Sequence, residues 1–217
     1  MITHVNIKPI NSKKPVNVVI LPGSGEYVIK CSATDRKKIV AEVSGGQLIV
    51  SANAFAYLEE ILIEIYSSDV EILTVSGNAV VECMGLAATG DIRYSGSIYS
   101  DLTLCGKEYK FTLAGDTRVS ANITAELLAI SAAGGNNIDM CGETDRANLV
   151  ASGSNFIDAQ TLITNICNIQ GNGDTKVNIG CRDKLNVNVS GYANIHYKGD
   201  AVLNQHTSGY ADIVKVY

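Results

Sequence analysis

The chain has 217 residues, 46% of them apolar and 18% charged, with a net charge of −5, a composition that fits one or two globular domains and excludes disorder and collagen. Seventeen Lys and Arg against 22 Asp and Glu leave no basic field for a nucleic-acid backbone or an anionic membrane. No run approaches the roughly 18 consecutive apolar residues of a spanning helix.

Residues 1–15 read as a flexible N-terminal segment. Met1–Pro9 lacks the charged start and apolar run of a secretory signal. The expected location is therefore the cell envelope, periplasmic or extracellular, if a leader has been removed, and cytoplasmic otherwise. Residues 16–74 read as N-terminal strands and a cap. Val16–Leu21 and Tyr27–Cys31 are two strands joined at Pro22-Gly23-Ser24-Gly25. Lys38–Val50 is a hairpin, because the alternation of Ile39, Ala41 and Val43 meets Leu48 and Val50 across Ser44-Gly45-Gly46-Gln47. Ala54–Tyr66 fits a helix through Leu58, Ile61, Leu62 and Ile65 and a strand through Ile61, Ile63 and Ile65. We favour a strand from about Ile61.

Residues 75–217 are organised by glycine. Gly77, Gly96, Gly115, Gly134, Gly153, Gly173, Gly191 and Gly209 are separated by 19, 19, 19, 19, 20, 18 and 18 residues, which is the mark of a repeat architecture. Small residues precede them, as in Ser76, Ser95, Ala114, Ser152 and Ser190, so each unit holds one tight corner where glycine supplies positive φ. Four residues after each glycine stand Val81, Ser100, Val119, Ile138, Ile157, Val177, Ile195 and Ile213. The columns six after and four before are also apolar in seven of eight places, where composition alone gives fewer than four. Their exceptions are Lys215 and Gln205. Offsets differing by two are the period of a strand. No unit has ten residues of helical periodicity.

The fold predicted is all-β: a single-stranded right-handed parallel β-helix, a solenoid of about eight 19-residue turns with an N-terminal β-hairpin cap. Turns stacked at about 4.8 Å give a rod of roughly 38 Å. Hexapeptide left-handed helices, calcium-binding nonapeptide rolls and leucine-rich repeats do not fit the period or the columns. The corners Ser76-Gly77-Asn78, Ser95-Gly96-Ser97, Ala114-Gly115-Asp116 and Ser152-Gly153-Ser154 resemble those of the autotransporter-adhesin head domains, the head GIN domain family. The endings Ser190-Gly191-Tyr192-Ala193-Asn194-Ile195 and Ser208-Gly209-Tyr210-Ala211-Asp212-Ile213 are similar to that family too. The likeness spans roughly residues 16–217. It implies a right-handed β-helix and a non-enzymatic bacterial envelope or surface protein with an adhesive role.

Chemistry-bearing residues are sparse. The six cysteines contain no C-x-x-C pair, and Cys83 and Cys167 fall on inward columns as small apolar fillers. No serine or cysteine nucleophile sits in a motif beside His4, His196 or His206, and His196 faces outward. Glu82 with Asp101, and Asp139 with Asp158, stack on one outward column. That column reads as a solvated face, or as paired acids of a polysaccharide-acting enzyme. No catalytic residue, metal ligand or cofactor is assigned. Tyr192 and Tyr210 follow equivalent corners and stack one turn apart, flanked by Asn194 and Asp212. These four are the candidate ligand-binding residues, the alternative being a seal over the last turns. Expected partners are glycans or cell-surface proteins, with homo-oligomerisation open. The rival readings are a polymerising cytoplasmic scaffold like the bactofilins and the polysaccharide-acting enzyme.

Overall fold

A strand with alternate apolar residues buries one face, and a chain that returns every 19 residues can bury it only against the matching strand of the next turn. The computed structural model, which describes residues 1–53 and 57–216, has this arrangement, a right-handed parallel β-helix of about eight turns with a strand-built N-terminal cap. The described elements are β1 (His4–Ile7), β2 (Val16–Leu21), β3 (Ser24–Lys30), a single helical turn α1 (Ala33–Arg36), β4 (Ile39–Ser44), β5 (Gln47–Ala52), β6 (Leu62–Ser67), β7 (Ile72–Cys83), β8 (Thr89–Cys105), β9 (Glu108–Lys198) and β10 (Val202–Val216). β9 is one extended run that passes through five of the corner glycines.

The predicted register holds residue for residue. Gly77 pairs with Gly96 across β7 and β8, Gly96 with Gly115 across β8 and β9, and Gly191 with Gly209 across β9 and β10, all parallel. All eight corner glycines have positive φ, between +89° and +119°. Six residues before each corner form a first wall, and the residues after it a second. The chain turns again eight residues past the corner, where Gly85, Gly142 and Gly199 also have positive φ, and a short third wall leads to the next turn. This third wall absorbs the unequal spacing. It holds residues 142–146, 161–166, 181–184 and 199–202 in successive turns, while the first two walls keep their register.

Val81, Val119, Ile138, Ile157, Val177 and Ile195 lie one above another with no solvent exposure. Each such side chain contributes about 1.5–3 kcal/mol before its ordering entropy is subtracted. Ser100 keeps its inward place and is equally buried. In the last turn Gln205 and Lys215, the exceptions in the other two columns, are exposed.

The N-terminal segment differs from the flexible lead-in expected for residues 1–15. β1 is inserted between β5 and β7, parallel to both, and Ile2, Val5 and Ile7 are each 1% exposed. Its alternation is too short to stand out in sequence, yet it supplies the first wall of the opening turn. His4 accordingly lies in a paired strand and not in a mobile end. β2 supplies the second wall, pairing with β7 on one side and β6 on the other. β4 and β5 form the predicted antiparallel hairpin, turning at Gly45 and Gly46 with φ of +57° and +81°. β3 lies antiparallel outside β6. The stack therefore ends at this pole in two antiparallel strands, which blunts its open edge. The strand expected from about Ile61 is β6, whereas residues 54–56 of the ambiguous stretch lie outside the described residues. Asp35 ties α1 to this cap, its carboxylate accepting from Lys38 Nζ at 2.9 Å and from the backbone N–H of Glu59 at 3.2 Å. Those bonds, the lysine first, hold the carboxyl below its usual range.

Candidate functional site

The strand period places every second residue of a wall outward, so the surface is also a set of columns. On the second wall, Tyr192 and Tyr210 occupy the first position after their corners and stack with ring centroids 4.7 Å apart and planes 19° apart. They are 57% and 59% exposed, so the pair presents an aromatic surface to solvent. Asn194 and Asp212 are neighbours in register two residues further along. Asn194 is half-buried, with its Oδ1 enclosed and without a hydrogen-bond partner among the described residues, and Asp212 is exposed. The four predicted residues thus form one patch on the last two turns.

Around the corner, the first wall carries an asparagine ladder that sequence reasoning missed. Asn168 Nδ2 donates to Asn148 Oδ1 at 2.7 Å, Asn186 Nδ2 to Asn168 Oδ1 at 2.7 Å, and Asn204 Nδ2 to Asn186 Oδ1 at 3.2 Å. All four stand five residues before a corner glycine, so tallying the outward offsets as the inward ones were tallied would reveal them. The ladder floors a groove of about 410 Å³ whose second row is Val150, Gln170, Asn188 and His206.

A second polar ladder lies inside the rod, two residues after the corner. Thr117 Oγ1 donates to Asn136 Oδ1 at 2.7 Å, Asn136 Nδ2 to Asn155 Oδ1 at 2.7 Å, and Asn155 Nδ2 to the Ser152 carbonyl at 2.8 Å. These side chains are at most 3% exposed. Buried amides are tolerated here because each finds its partner one rung away.

The other chemical candidates do not converge. Glu82 and Asp101 are adjacent in register and exposed, and Ser120 separates them from Asp139 and Asp158 on the same column. Among the described residues no three His, Cys, Asp or Glu side chains gather closely enough to hold a metal ion. His196 is half-buried and His206 exposed on different walls. All six cysteines are free thiols. Burial pushes the Cys83 thiol up to about 12, and burial with Cys181 nearby drives Cys167 well above the usual thiol range. We expect iodoacetamide at pH 8 to label exposed Cys105 in the native protein and to reach Cys83 and Cys167 only after unfolding, as read by peptide mass spectrometry. Native-state labelling of Cys167 would show that the rod opens locally.

Fold and surface together define a β-helical scaffold of filled interior that presents side-chain columns to the outside. The family described as "Putative auto-transporter adhesin, head GIN domain" matches residues 8–201, and the chain belongs to it. No curated protein matches the chain. Among solved structures, it is similar to a "putative lipid binding protein" from Parabacteroides distasonis, at 19% identity and a TM-score of 0.82 over 100% of this chain and 94% of that one. It is also similar to a "putative adhesin" from Parabacteroides merdae, at 16% identity and a TM-score of 0.75 over 100% and 92%. A second "putative adhesin", from Parabacteroides distasonis, has 16% identity and a TM-score of 0.78 over 99% and 94%. At these identities the likeness is one of fold. No helix of the described residues is long and apolar enough to cross a membrane.

Proposed function

We propose that this protein is a non-enzymatic binding protein of the bacterial cell envelope or surface, an adhesin-like rod that meets glycans or proteins of another surface through Tyr192, Tyr210, Asn194 and Asp212. The observation that carries the reading is the stacked, exposed tyrosine pair set on a rigid sheet wall beside polar side chains. Large aromatic faces with adjacent hydrogen-bonding groups give contact area at little entropic cost. Family membership supports the envelope location and the adhesive role, and fold alone carries neither. The family and the solved relatives bear names of adhesins and a lipid binder, which agrees with a binding role over catalysis.

The test is attachment of the purified chain to bacterial and host cells, with a Tyr192→Ala/Tyr210→Ala double variant beside it. The variant is expected to lose attachment by about tenfold, which corresponds to roughly 1.4 kcal/mol, while its thermal midpoint stays near that of the parent. Unchanged attachment with a lowered midpoint would make the pair a seal on the last turns and end this assignment.

A further inference from the structure

The first wall of the last four turns is an amide-rich face. Its twelve outward positions, three per turn, hold no Asp, Glu, Lys or Arg. Of the four earlier turns, those at Gly96 and Gly115 hold Asp91, Arg93 and Lys110 at these positions, and those at Gly77 and Gly134 hold only Ile72, Thr74 and Ser76, and Ala129, Ser131 and Ala133. The third wall of the same turns carries Glu143, Asp145 and Arg182, with an Arg182–Glu143 ion pair at 3.1 Å spanning two turns. Charge is thus withheld from one face while its neighbour is rich in it. Surfaces built only for solubility mix both signs throughout.

What replaces charge is amide. A primary amide has two N–H donors and two carbonyl lone pairs, and the ladder uses one of each at Asn168 and Asn186. Each therefore keeps one donor and one acceptor, and the ladder bonds hold the amide plane fixed, so a ligand does not have to order it. Gln170 and Asn188 add exposed amides in the next row, and Asn172 in the row beyond. The groove of about 410 Å³ shares Val150, Gln170 and Asn188 with an adjoining one of about 260 Å³, so the two form a single trough. It runs over four rungs, roughly 14 Å. It ends near the corner at Gly191, beyond which Tyr192 stands.

Resting on the binding role proposed above, we infer that this trough is the site of an uncharged polysaccharide, whose hydroxyls pair with the fixed amides and whose apolar ring face lies against the tyrosine pair. An anionic ligand would require Arg or Lys and a hard cation would require carboxylates, and the face has neither. A sugar hydroxyl is both donor and acceptor, which is what each ladder amide leaves free. A peptide strand exposes its backbone groups in the plane of its own sheet edge, where amides standing on a sheet face do not meet them in series.

Affinity electrophoresis of the 217-residue chain through gels containing neutral glucan, mannan or galactan, with polygalacturonate as the charged control, tests this. The parent chain is expected to be retarded by at least one neutral polymer and not by polygalacturonate. Asn168→Leu, which removes the central rung, is expected to weaken that retardation about tenfold, and exposed Gln170→Ala, outside the ladder, about fivefold. Periodate treatment of target cells, which cleaves vicinal diols, is expected to abolish attachment, and protease treatment to spare it. Retardation by polygalacturonate alone, equal retardation of both variants and parent, or attachment lost to protease and spared by periodate would each overturn the inference. Attachment that persists through the tyrosine pair with Asn168→Leu unaffected would sink the trough alone. Absence of attachment to any cell would sink the binding role itself.

Discussion

Replacing Gly134, a corner in the middle of the stack, by alanine is expected to destabilise the rod by about 2–6 kcal/mol. Two costs combine. Gly134 has a φ of +110°, which an L side chain adopts at roughly 1–3 kcal/mol of strain. Its new Cβ would also collide with the Gly115 carbonyl oxygen one turn below, with the Gly115 amide nitrogen at 3.1 Å, and overpacking of this sort costs about 1–3 kcal/mol. The neighbour cannot yield, because it is backbone paired into the sheet on both sides. Gly85 separates the two costs, since its φ is +121° but a Cβ there would meet nothing within 4 Å. Gly85→Ala should show the strain alone. Urea unfolding of the two variants decides the matter, and equal midpoints would mean that the stacked corners have room to relax. Because solenoid turns are stabilised mainly by their neighbours, hydrogen exchange should show the loss concentrated between residues 115 and 153.

The inner ladder gives the second large expectation. Asn136→Leu keeps the branching and heavy-atom count of the side chain but leaves Thr117 Oγ1 and Asn155 Oδ1 without the partners they have at 2.7 Å. Each buried group left unmade costs about 1–3 kcal/mol, so a loss of about 2–6 kcal/mol is expected. Thr175, the next rung, behaves oppositely. Its Oγ1 is buried and has no hydrogen-bond partner among the described residues, so Thr175→Val removes an unsatisfied hydroxyl and should leave stability unchanged or raised. If thermal midpoints fell alike for both substitutions, the ladder bonds would not be what stabilises this column.

The architecture was legible because one physical constraint repeats. Every corner that brings chain above chain requires glycine at positive φ, and every residue four places later faces inward, so Val119, Ile138 and Ile157 could be placed on one another from spacing alone. The tyrosine stack follows from the same register. β1 was not legible, because Thr3–Ile7 is a single short alternation whose pairing partners, β5 and β7, lie more than 40 residues away. The asparagines escaped for a different reason. Asparagine side chains ordinarily prefer water, yet Asn136 and Asn155 stand on an inward column, where each amide satisfies the next and so removes the usual penalty for burial. Asn148, Asn168, Asn186 and Asn204 do face outward. Their significance appears only when the repeat is read on its outer side.

The unequal third wall has a consequence for how such proteins diversify. Residues gained or lost there, as between 161–166 and 181–184, leave both other walls in step, so small insertions need not disturb the amide and tyrosine columns. Loss or duplication of an entire coil preserves every rung as well, lengthening or shortening the shaft by about 4.8 Å each time. Reach and recognition are therefore separately adjustable, and lineages can drift in the height at which the terminal patch is carried without rebuilding it.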